Sequence, residues 1–507
     1  MYLKQLKTLG LALLAVMSTQ SMQAEVMGAA QKKKNVQSTS MVQPITGTWI
    51  NLAYKDVRNK YTNPQNFDNN DPQLWAAKVR EMSAMGIEYL VFMEVANEGK
   101  AYYPSKIMPW LYDKSKQSPV DAILDEAAKH GMKVFMSTGW AKDQDDNLLD
   151  PAIKERQLQI MEELASIYKN HKAFYGWYLP VEDCLCPIFA EHAVQSVNTL
   201  TEKAHKLTPG KKTLISPYGI GLSDFDNPEY EKQMAKLKVD IIAYQDEVGC
   251  VREQFPMKNM KEHFRQVSEI HKKAGIEFWA NIETFTWDRE ANNWYSTLVP
   301  AAFGRVLSQL VGVNQAGVDK VVSFIVYSLF DKPGSPYPAG QRIYANDLYN
   351  DYMAWMNGDP RWKMLEEIFS GKDFGTHKVT AGPQALSDGK FGWEDPNDEA
   401  WCEFEGGKME CVIDLGSKKD ISKVGAHFCD YYREGVIIPQ CIEVEVSNDG
   451  RHFTKVKTVT YENWPNKYLD CWTDVILADE LNARGRYVKV TAISARGRIL
   501  CSEVVVE

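Results

Sequence analysis

The sequence has no excess of positive charge and no long apolar run beyond its first residues. It holds 58 Lys and Arg against 67 Asp and Glu, a formal net charge of −9. Chains that bind nucleic acid usually carry clustered basic residues. A transmembrane helix needs about 20 predominantly apolar residues. We therefore expect no nucleic-acid partner and no transmembrane segment.

Two chemical signatures are also missing. The glycine-rich phosphate-binding motif of doubly wound dinucleotide folds is absent. Cys184-Leu185-Cys186 has no His or Cys partner at the spacing of a metal site. We predict neither a catalytic cofactor nor a structural zinc. The nine cysteines are an odd number, so any disulfide pattern leaves at least one thiol unpaired.

The N-terminus has the order of a secretory signal. Lys4 and Lys7 precede the apolar run 9–17, and small and polar residues follow up to Ala24. We predict a signal peptide over residues 1–24, a polar flexible linker over 25–43, and a secreted or periplasmic protein.

From residue 45 onwards, short β-rich apolar runs alternate with amphipathic stretches of helical period. This order predicts a (β/α)₈ TIM barrel over residues 44–372, with an open doubly wound sheet as the alternative. The predicted strands are Thr46–Leu52, Glu88–Val95, Lys133–Trp140, Tyr175–Glu182, Thr213–Tyr218, Asp240–Asp246, Glu277–Glu283 and Lys320–Leu329.

The connections between these elements differ at the two ends of the predicted strands. Glycine stands where helices give way to strands, at Gly86, Gly131, Gly275 and Gly317, which predicts short αβ turns. The βα connections 51–71, 96–118 and 330–341 are long, polar and aromatic. Because barrels carry function on the face of the βα loops, we expect the site there.

From about residue 375 the helical period disappears and short strands alternate with turns. The segments 410–415, 441–446 and 487–491 are examples. A chain of 507 residues is long enough for two or three domains. We predict an all-β sandwich over residues 375–507.

Acidic residues end several of the predicted barrel strands, where an ionised carboxylate is costly to bury. Side-chain alternation gives Glu182 the same face as Tyr178, and Glu283 the same face as Asn281. Two carboxylates facing each other across a barrel mouth are the requirement for glycoside hydrolysis. We predict Glu182 and Glu283 as a catalytic pair; structural ion pairing is the alternative.

Further polar and aromatic residues lie at or near the predicted mouth. Asp246 and Glu247 would bind a hydroxyl, orient Glu283 or belong to a solvated loop, and Glu94 would act directly or support its neighbours. Trp177 and Trp279 suit core packing, whereas Trp140 and Trp287 suit sugar platforms. The predicted substrate-binding set is Trp49, Asn51, Glu94, Trp140, Tyr178, Tyr244, Asp246, Glu247, Asn281, Trp287 and Tyr327.

The glutamates ending strands four and seven resemble the pattern of clan A glycoside hydrolases. That resemblance implies Glu182 as general acid/base, Glu283 as nucleophile, a retaining mechanism and a carbohydrate substrate. The stretch Gly-Trp-Tyr-Leu-Pro-Val-Glu at 176–182 also resembles a little-characterised, chiefly bacterial family of glycosidase-like barrels, over roughly residues 45–370. Val181 departs from the clan, which has there an Asn that contacts the sugar 2-hydroxyl.

Residues 375–507 resemble the coagulation-factor type C, or discoidin, family. The matching segments are 385–389 with Trp393, 412–416, 442–450, 486–490 and 503–506. The resemblance implies an all-β jelly-roll sandwich of galactose-binding-like fold. It also implies a structural calcium near Asp388 and Glu503, and glycan-binding loops lined by Tyr431, Tyr432, Arg433, Trp464 and Trp472.

Two hypotheses follow. The first is a secreted glycoside hydrolase with a two-carboxylate, retaining mechanism. The alternative is a non-catalytic glycan-binding protein whose barrel is inactive and whose sandwich binds the sugar. The separation of the two carboxyl groups would distinguish them, because a retaining pair lies about 5–5.5 Å apart and an inverting pair about 6.5–9.5 Å.

Overall fold

The computed structural model describes residues 42–52, 68–140, 142, 147–250, 256–288, 298–462, 468–495 and 497–507. The predicted signal peptide, all but the last two residues of the predicted linker, and Trp464 lie outside the described residues. Within the described ranges, no helix is both long and apolar enough to cross a membrane.

Eight parallel strands form a closed barrel in which each strand pairs with its neighbours in chain order and the last pairs with the first. The TIM barrel is therefore confirmed over the doubly wound sheet. The strands are β1 (Gly47–Ile50), β2 (Tyr89–Phe92), β3 (Lys133–Ser137), β4 (Phe174–Tyr178), β5 (Lys212–Ile215), β6 (Ile241–Gln245), β7 (Glu277–Glu283) and β8 (Lys320–Phe324).

Helices follow the strands around the barrel. They are α1 (Pro72–Ala84), α2 (Pro119–Lys129), α3 (Pro151–Tyr168), α4 (Glu191–Leu207), α5 (Pro228–Lys236), α6 (Met260–Ala274), α7 (Phe303–Gln315), α8 (Arg342–Met356) and α9 (Pro360–Phe369). Several start with a proline after a polar cap, as at Asp150, whose carboxylate accepts from the Ala152 N–H at 2.8 Å. The four predicted glycine stops all have positive φ, between 68° and 95°, which confirms the short αβ turns.

The eighth predicted strand was too long. β8 ends at Phe324, and Val326–Leu329 forms a helical turn instead. The backbone N–H of Val326 donates to the Thr48 hydroxyl at 2.8 Å. A continuous apolar run has no period that separates a buried strand from a buried helical turn, so only the tertiary contacts fix the boundary.

The C-terminal region forms two packed antiparallel sheets, as predicted. Its strands are β9 (Lys378–Ala381), β10 (Cys402–Phe404), β11 (Lys408–Ile421), β12 (Val424–Asp430), β13 (Cys441–Ser447), β14 (Thr454–Thr460), β15 (Trp472–Ala478), β16 (Ala483–Ile493) and β17 (Ile499–Val506). One sheet has the order β9-β11-β16-β13-β14 and the other β10-β17-β12-β15.

The two domains share a close contact. Val475, Leu477 and Val505 of the sandwich belong to the same apolar cluster as the barrel core. The backbone of α7 approaches β15 so closely that a Cβ at Gly304 would lie 2.0 Å from the carbonyl oxygen of Thr473. The sandwich is therefore packed against the barrel rather than tethered by a linker.

All nine cysteines are free thiols in the structure. Cys429 and Cys471 are both buried, and their Sγ atoms lie 3.3 Å apart, beyond the S–S bond length of about 2.05 Å.

Candidate active site

Glu283 lies at the C-terminal end of β7. Strand alternation places its side chain on the inner face of the barrel, above those of Trp279 and Asn281. Trp279 packs inside the barrel against Tyr89, with ring centroids 5.1 Å apart, so its predicted core role is confirmed. Two residues further on, the Asn281 amide donates to the Ser216 hydroxyl at 3.2 Å. Glu283 follows at the mouth and is only 6% exposed.

The surroundings of Glu283 favour its protonated form. Burial raises the pKa of this carboxyl to about 8, and the negative charges of Asp246 and Glu247 act in the same direction. A hydrogen bond of 2.9 Å from the Cys250 N–H to Oε2 opposes the shift. These surroundings therefore favour the protonated form of Glu283 near neutral pH, which is the form that a general acid needs.

Asp246 anchors the end of β7 rather than facing a ligand. The side chain is fully buried, and its Oδ1 accepts from the Glu283 N–H at 3.0 Å. Its Oδ2 accepts from the Gln309 amide at 2.6 Å, and Gln309 also donates to the Glu283 carbonyl at 3.1 Å. Burial raises the pKa of Asp246 to about 6. Of the predicted roles of Asp246, these contacts support orientation of Glu283, whereas its binding of a substrate hydroxyl stays a prediction.

Glu247 connects the carboxylates of β4 and β7. Its backbone has φ 56°, a left-handed conformation that costs energy for a residue with a Cβ and often marks a functional site. Its Oε2 accepts from the Gly219 N–H at 2.6 Å. Burial raises the pKa of Glu247 to about 7, with the charges of Asp246 and Glu182 adding to the shift.

Glu182 lies beyond the end of β4 and is exposed. Its Oε1 accepts from the Gln245 amide at 2.9 Å, and Gln245 is itself anchored to the Ser216 carbonyl at 3.0 Å. The charge of Glu182 acts on Glu247, and that of Glu247 acts on Glu283. The ends of β4, β6 and β7 thus bring four carboxylates together, which we call the carboxylate group: Glu182, Asp246, Glu247 and Glu283.

Other predicted binding residues lie near this group. Trp49 and Tyr178 contact each other edge to face inside the barrel, with centroids 5.9 Å apart. Burial and the charges of Glu182 and Glu94 raise the pKa of Tyr178, so both carboxylates lie close to this ring. Glu94 is fully buried, so its carboxyl group is not exposed at the barrel mouth.

Asn51 and Tyr327 come together at the ends of β1 and β8. The Tyr327 hydroxyl donates to the Asn51 carbonyl at 3.4 Å, and both residues are buried. Tyr327 also packs edge to face on Trp75 of α1, at 5.1 Å. These contacts give Tyr327 a packing role at the upper rim of the barrel.

Tyr244, predicted to bind substrate, does not face the inside of the barrel. Its hydroxyl hydrogen-bonds His271 of α6 at 2.8 Å and Tyr230 of α5 at 3.0 Å. The ring therefore points out of the barrel into the helix layer. Alternation along β6 puts Gln245, not Tyr244, on the inner face, and the same argument that selected Glu283 would have found it.

Neither Trp140 nor Trp287 is an open platform. Trp140 is 7% exposed and Trp287 is 3% exposed. The Trp287 indole N–H donates to the Cys250 carbonyl at 3.2 Å, which holds the ring beside the residue that hydrogen-bonds Glu283.

Gln245, Gln309, Arg305 and the Cys250 backbone were not predicted from the sequence. Arg305 is fully buried in α7 and donates to the Phe285 carbonyl at 2.7 Å, and its positive charge partly opposes the rise in the pKa of Asp246. The available signal was an Arg and a Gln four residues apart, among the apolar residues of this helix. The contribution of a backbone N–H leaves no signal in the sequence.

The predicted calcium residues do lie together. Glu503 is 1% exposed, and its Oε2 accepts from the backbone N–H groups of Asp388 at 3.3 Å and Gly389 at 3.2 Å. Burial raises the pKa of Glu503 to about 8, and the charge of Asp388 adds to the shift. Across the described ranges, no three His, Cys, Asp or Glu side chains group as a metal site. Any ion here would need backbone carbonyls to complete its oxygen ligands, and calcium stays a prediction.

Residues 45–337 match the profile of a family described as a domain of unknown function, DUF4434. The chain belongs to that family. The match spans the barrel, including the whole carboxylate group. The sandwich lies outside it.

Similarity to proteins of stated activity is more restricted. A segment of 144 residues is 28% identical to "Glycosyl hydrolase DigH" of Escherichia coli strain K12, covering 26% of this chain and 32% of the relative. The chain thus spans about a third of the length of the curated relatives it matches.

Two solved structures also show similarity. A Bacteroides thetaiotaomicron protein described as a candidate α-L-fucosidase is 20% identical, with a TM-score of 0.49, covering 62% of this chain and 94% of that one. A glycoside hydrolase family 5 protein of Bacteroides vulgatus is 10% identical, with a TM-score of 0.37, covering 84% and 86%.

Proposed function

We propose that this protein is an exported glycoside hydrolase in which Glu182 and Glu283 carry out the chemistry. The observation that carries the proposal is the carboxylate group at the barrel mouth, in which Glu283 is buried beside other carboxylates, with a raised pKa, and Glu182 is exposed. Glycoside hydrolysis needs one carboxyl group to protonate the leaving oxygen and a second to act as nucleophile or base. The 28% identity to a glycosyl hydrolase over 144 residues supports the same class.

The surroundings of Glu283 favour it as the proton donor of the free protein, because burial, with the charges of Asp246 and Glu247 adding to it, raises its pKa to about 8. The resemblance to clan A implies the opposite roles, with Glu182 as acid/base and Glu283 as nucleophile. Both assignments use the same pair. They differ in which residue must be ionised when substrate binds.

The test of the function is hydrolysis of 4-nitrophenyl glycosides and of a panel of plant and host glycans by the purified protein. Glu182→Gln and Glu283→Gln should each lower kcat by at least 10²-fold, because each removes a carboxyl group needed in the transition state. Glu277→Gln is the matched control. Glu277 lies at the opposite end of β7 and is paired with Lys212 at 3.1 Å. Full activity of both catalytic variants would refute the proposal.

Azide separates the two role assignments. If Glu182 is the acid/base, azide should restore turnover of an aryl glycoside by Glu182→Ala with retained configuration, and give inverted product with Glu283→Ala. The reverse result would identify Glu283 as the general acid/base, the role that its raised pKa favours. The anomer released by the wild-type protein, followed by proton NMR, tests the predicted retention directly.

A further inference from the structure

A cavity of about 370 Å³ lies between the barrel and the sandwich, and both domains line it. Cys250 and Trp287 form part of the barrel wall, and Trp393, Tyr431 and Arg433 part of the sandwich wall. The volume falls in the range of about 300–1,000 Å³ typical of small-molecule sites. We call this space the interdomain cavity.

Cys250 connects the interdomain cavity to the carboxylate group. Its backbone N–H donates to Glu283 Oε2 at 2.9 Å, and its carbonyl accepts from the Trp287 indole at 3.2 Å. The residue that lines the cavity is therefore the one that hydrogen-bonds Glu283. This shared residue is the reason to place a second sugar ring in the cavity when one ring lies at Glu283.

The lining combines aromatic rings with hydrogen-bonding groups. Trp393 and Tyr431 are partly exposed and supply aromatic surface, which suits the apolar faces of sugar rings. Among the lining residues that the structure describes, acidic side chains outnumber basic ones: Glu394, Asp395, Glu434 and Asp470 against Lys258 and Arg433. An excess of negative charge disfavours an anionic ligand. The chemistry thus suits a neutral sugar rather than a uronic or sialic acid.

Hydrogen bonds between the barrel and the sandwich fix the positions of the two cavity walls relative to each other. Thr286, next to Trp287, donates to the carboxylate of Asp470 in the sandwich. Ser308 of α7 donates to the carboxylate of Glu394. Both acceptors belong to the cavity lining, so the cavity is formed by the docked domains and not by either one alone.

We propose that the interdomain cavity is a carbohydrate subsite for a neutral sugar ring adjacent to the ring that is cleaved. The sandwich then completes the substrate cleft instead of acting as an independent binding module. The position relative to cleavage rests on the proposed function, whereas sugar binding in the cavity does not.

Binding is tested by tryptophan fluorescence, because two tryptophans line the cavity. The probes are the methyl glycosides of galactose, glucose, mannose and N-acetylglucosamine, with N-acetylneuraminic acid as the anionic comparison. At least one neutral glycoside should change the emission saturably. Tyr431→Ala and Arg433→Ala should each weaken that binding at least tenfold, and Arg484→Ala should not. Arg484 is an exposed arginine of the sandwich that pairs with Asp420 at 3.3 Å and lies outside the cavity lining, which makes it a matched control for Arg433.

Three results would overturn the subsite: no saturable signal with any neutral glycoside, unchanged binding by both cavity variants, or tightest binding of N-acetylneuraminic acid. Arg433 is exposed, so its substitution keeps the test valid even if Tyr431→Ala fails to fold, as melting curves would reveal.

Kinetics separate this proposal from the proposed function. On a glycan that the wild-type protein cleaves, Tyr431→Ala should lower kcat/KM at least tenfold. On a 4-nitrophenyl monosaccharide, which is too short to reach the subsite, the same variant should have nearly the kcat/KM of the wild type. If the protein hydrolyses glycans and neither Tyr431 nor Arg433 affects the rate, the proposed subsite is refuted and the proposed function is retained. If the protein binds sugar in a way that depends on Tyr431 but has no hydrolytic activity, the proposed function is refuted and the proposed subsite is retained.

Discussion

Glu283→Gln should stabilise the protein at alkaline pH while abolishing its hydrolytic activity. The wild-type carboxyl is 6% exposed and has a pKa raised from 4.5 to about 8, chiefly by burial. An acid that binds its proton more tightly in the folded state makes folding less favourable as the pH rises from the unfolded to the folded pKa. Glutamine keeps the shape and has no charge to bury.

The magnitude follows from linkage. For a single group with these two pKa values, the cost of the buried carboxylate grows by about 3 kcal/mol between pH 5.5 and pH 8.5. The stability gained by Glu283→Gln over wild type should therefore be larger by about that amount at pH 8.5 than at pH 5.5. This is an upper value, because water entering the site on ionisation would reduce it.

Urea unfolding at the two pH values measures this difference, followed by fluorescence and circular dichroism together. Glu277→Gln is again the control, since its side chain is 41% exposed and burial adds little to the cost of its charge. A gain from Glu283→Gln that is the same at both pH values would refute the reasoning. It would mean that Glu283 is already ionised in the folded protein at pH 5.5.

Two further predictions concern the sandwich and its contact with the barrel. Gly304→Ala should destabilise the protein by several kcal/mol, because the new Cβ would lie 2.0 Å from the Thr473 carbonyl oxygen. Gly312→Ala is the control in the same helix. Its Cβ would have its nearest contact at 3.4 Å, so this variant should be neutral or stabilising by up to about 1 kcal/mol. Equal melting temperatures for the two variants would contradict the domain contact. Calcium should raise the melting temperature of the wild-type protein at pH 7, and Glu503→Gln should abolish that response, because a bound cation would compensate the buried carboxylate next to Asp388. Identical melting curves in excess calcium and excess chelator would rule out an occupied site.

The sequence by itself determined the architecture and much of the barrel mouth. Alternation of apolar runs with amphipathic stretches specified eight βα units, because a parallel barrel imposes that order on any chain that forms it. The glycine stops did the same for the short αβ turns. Period-two alternation along β7 was enough to put Trp279 in the barrel core and Glu283 at the rim, since the period depends only on local backbone geometry.

The tertiary structure decided how the acidic residues differ from one another. Asp246 and Glu247 are neighbours in sequence, yet one is fully buried under the backbone of Glu283 and the other connects Glu182 to Glu283. Burial and charge at a site depend on residues distant in sequence, such as Gln309 in α7. The interdomain cavity has the same origin, because its walls come from barrel and sandwich segments that only docking brings together. A pattern read along one strand specifies the direction of a side chain, whereas its pKa and its neighbours are properties of the assembled fold.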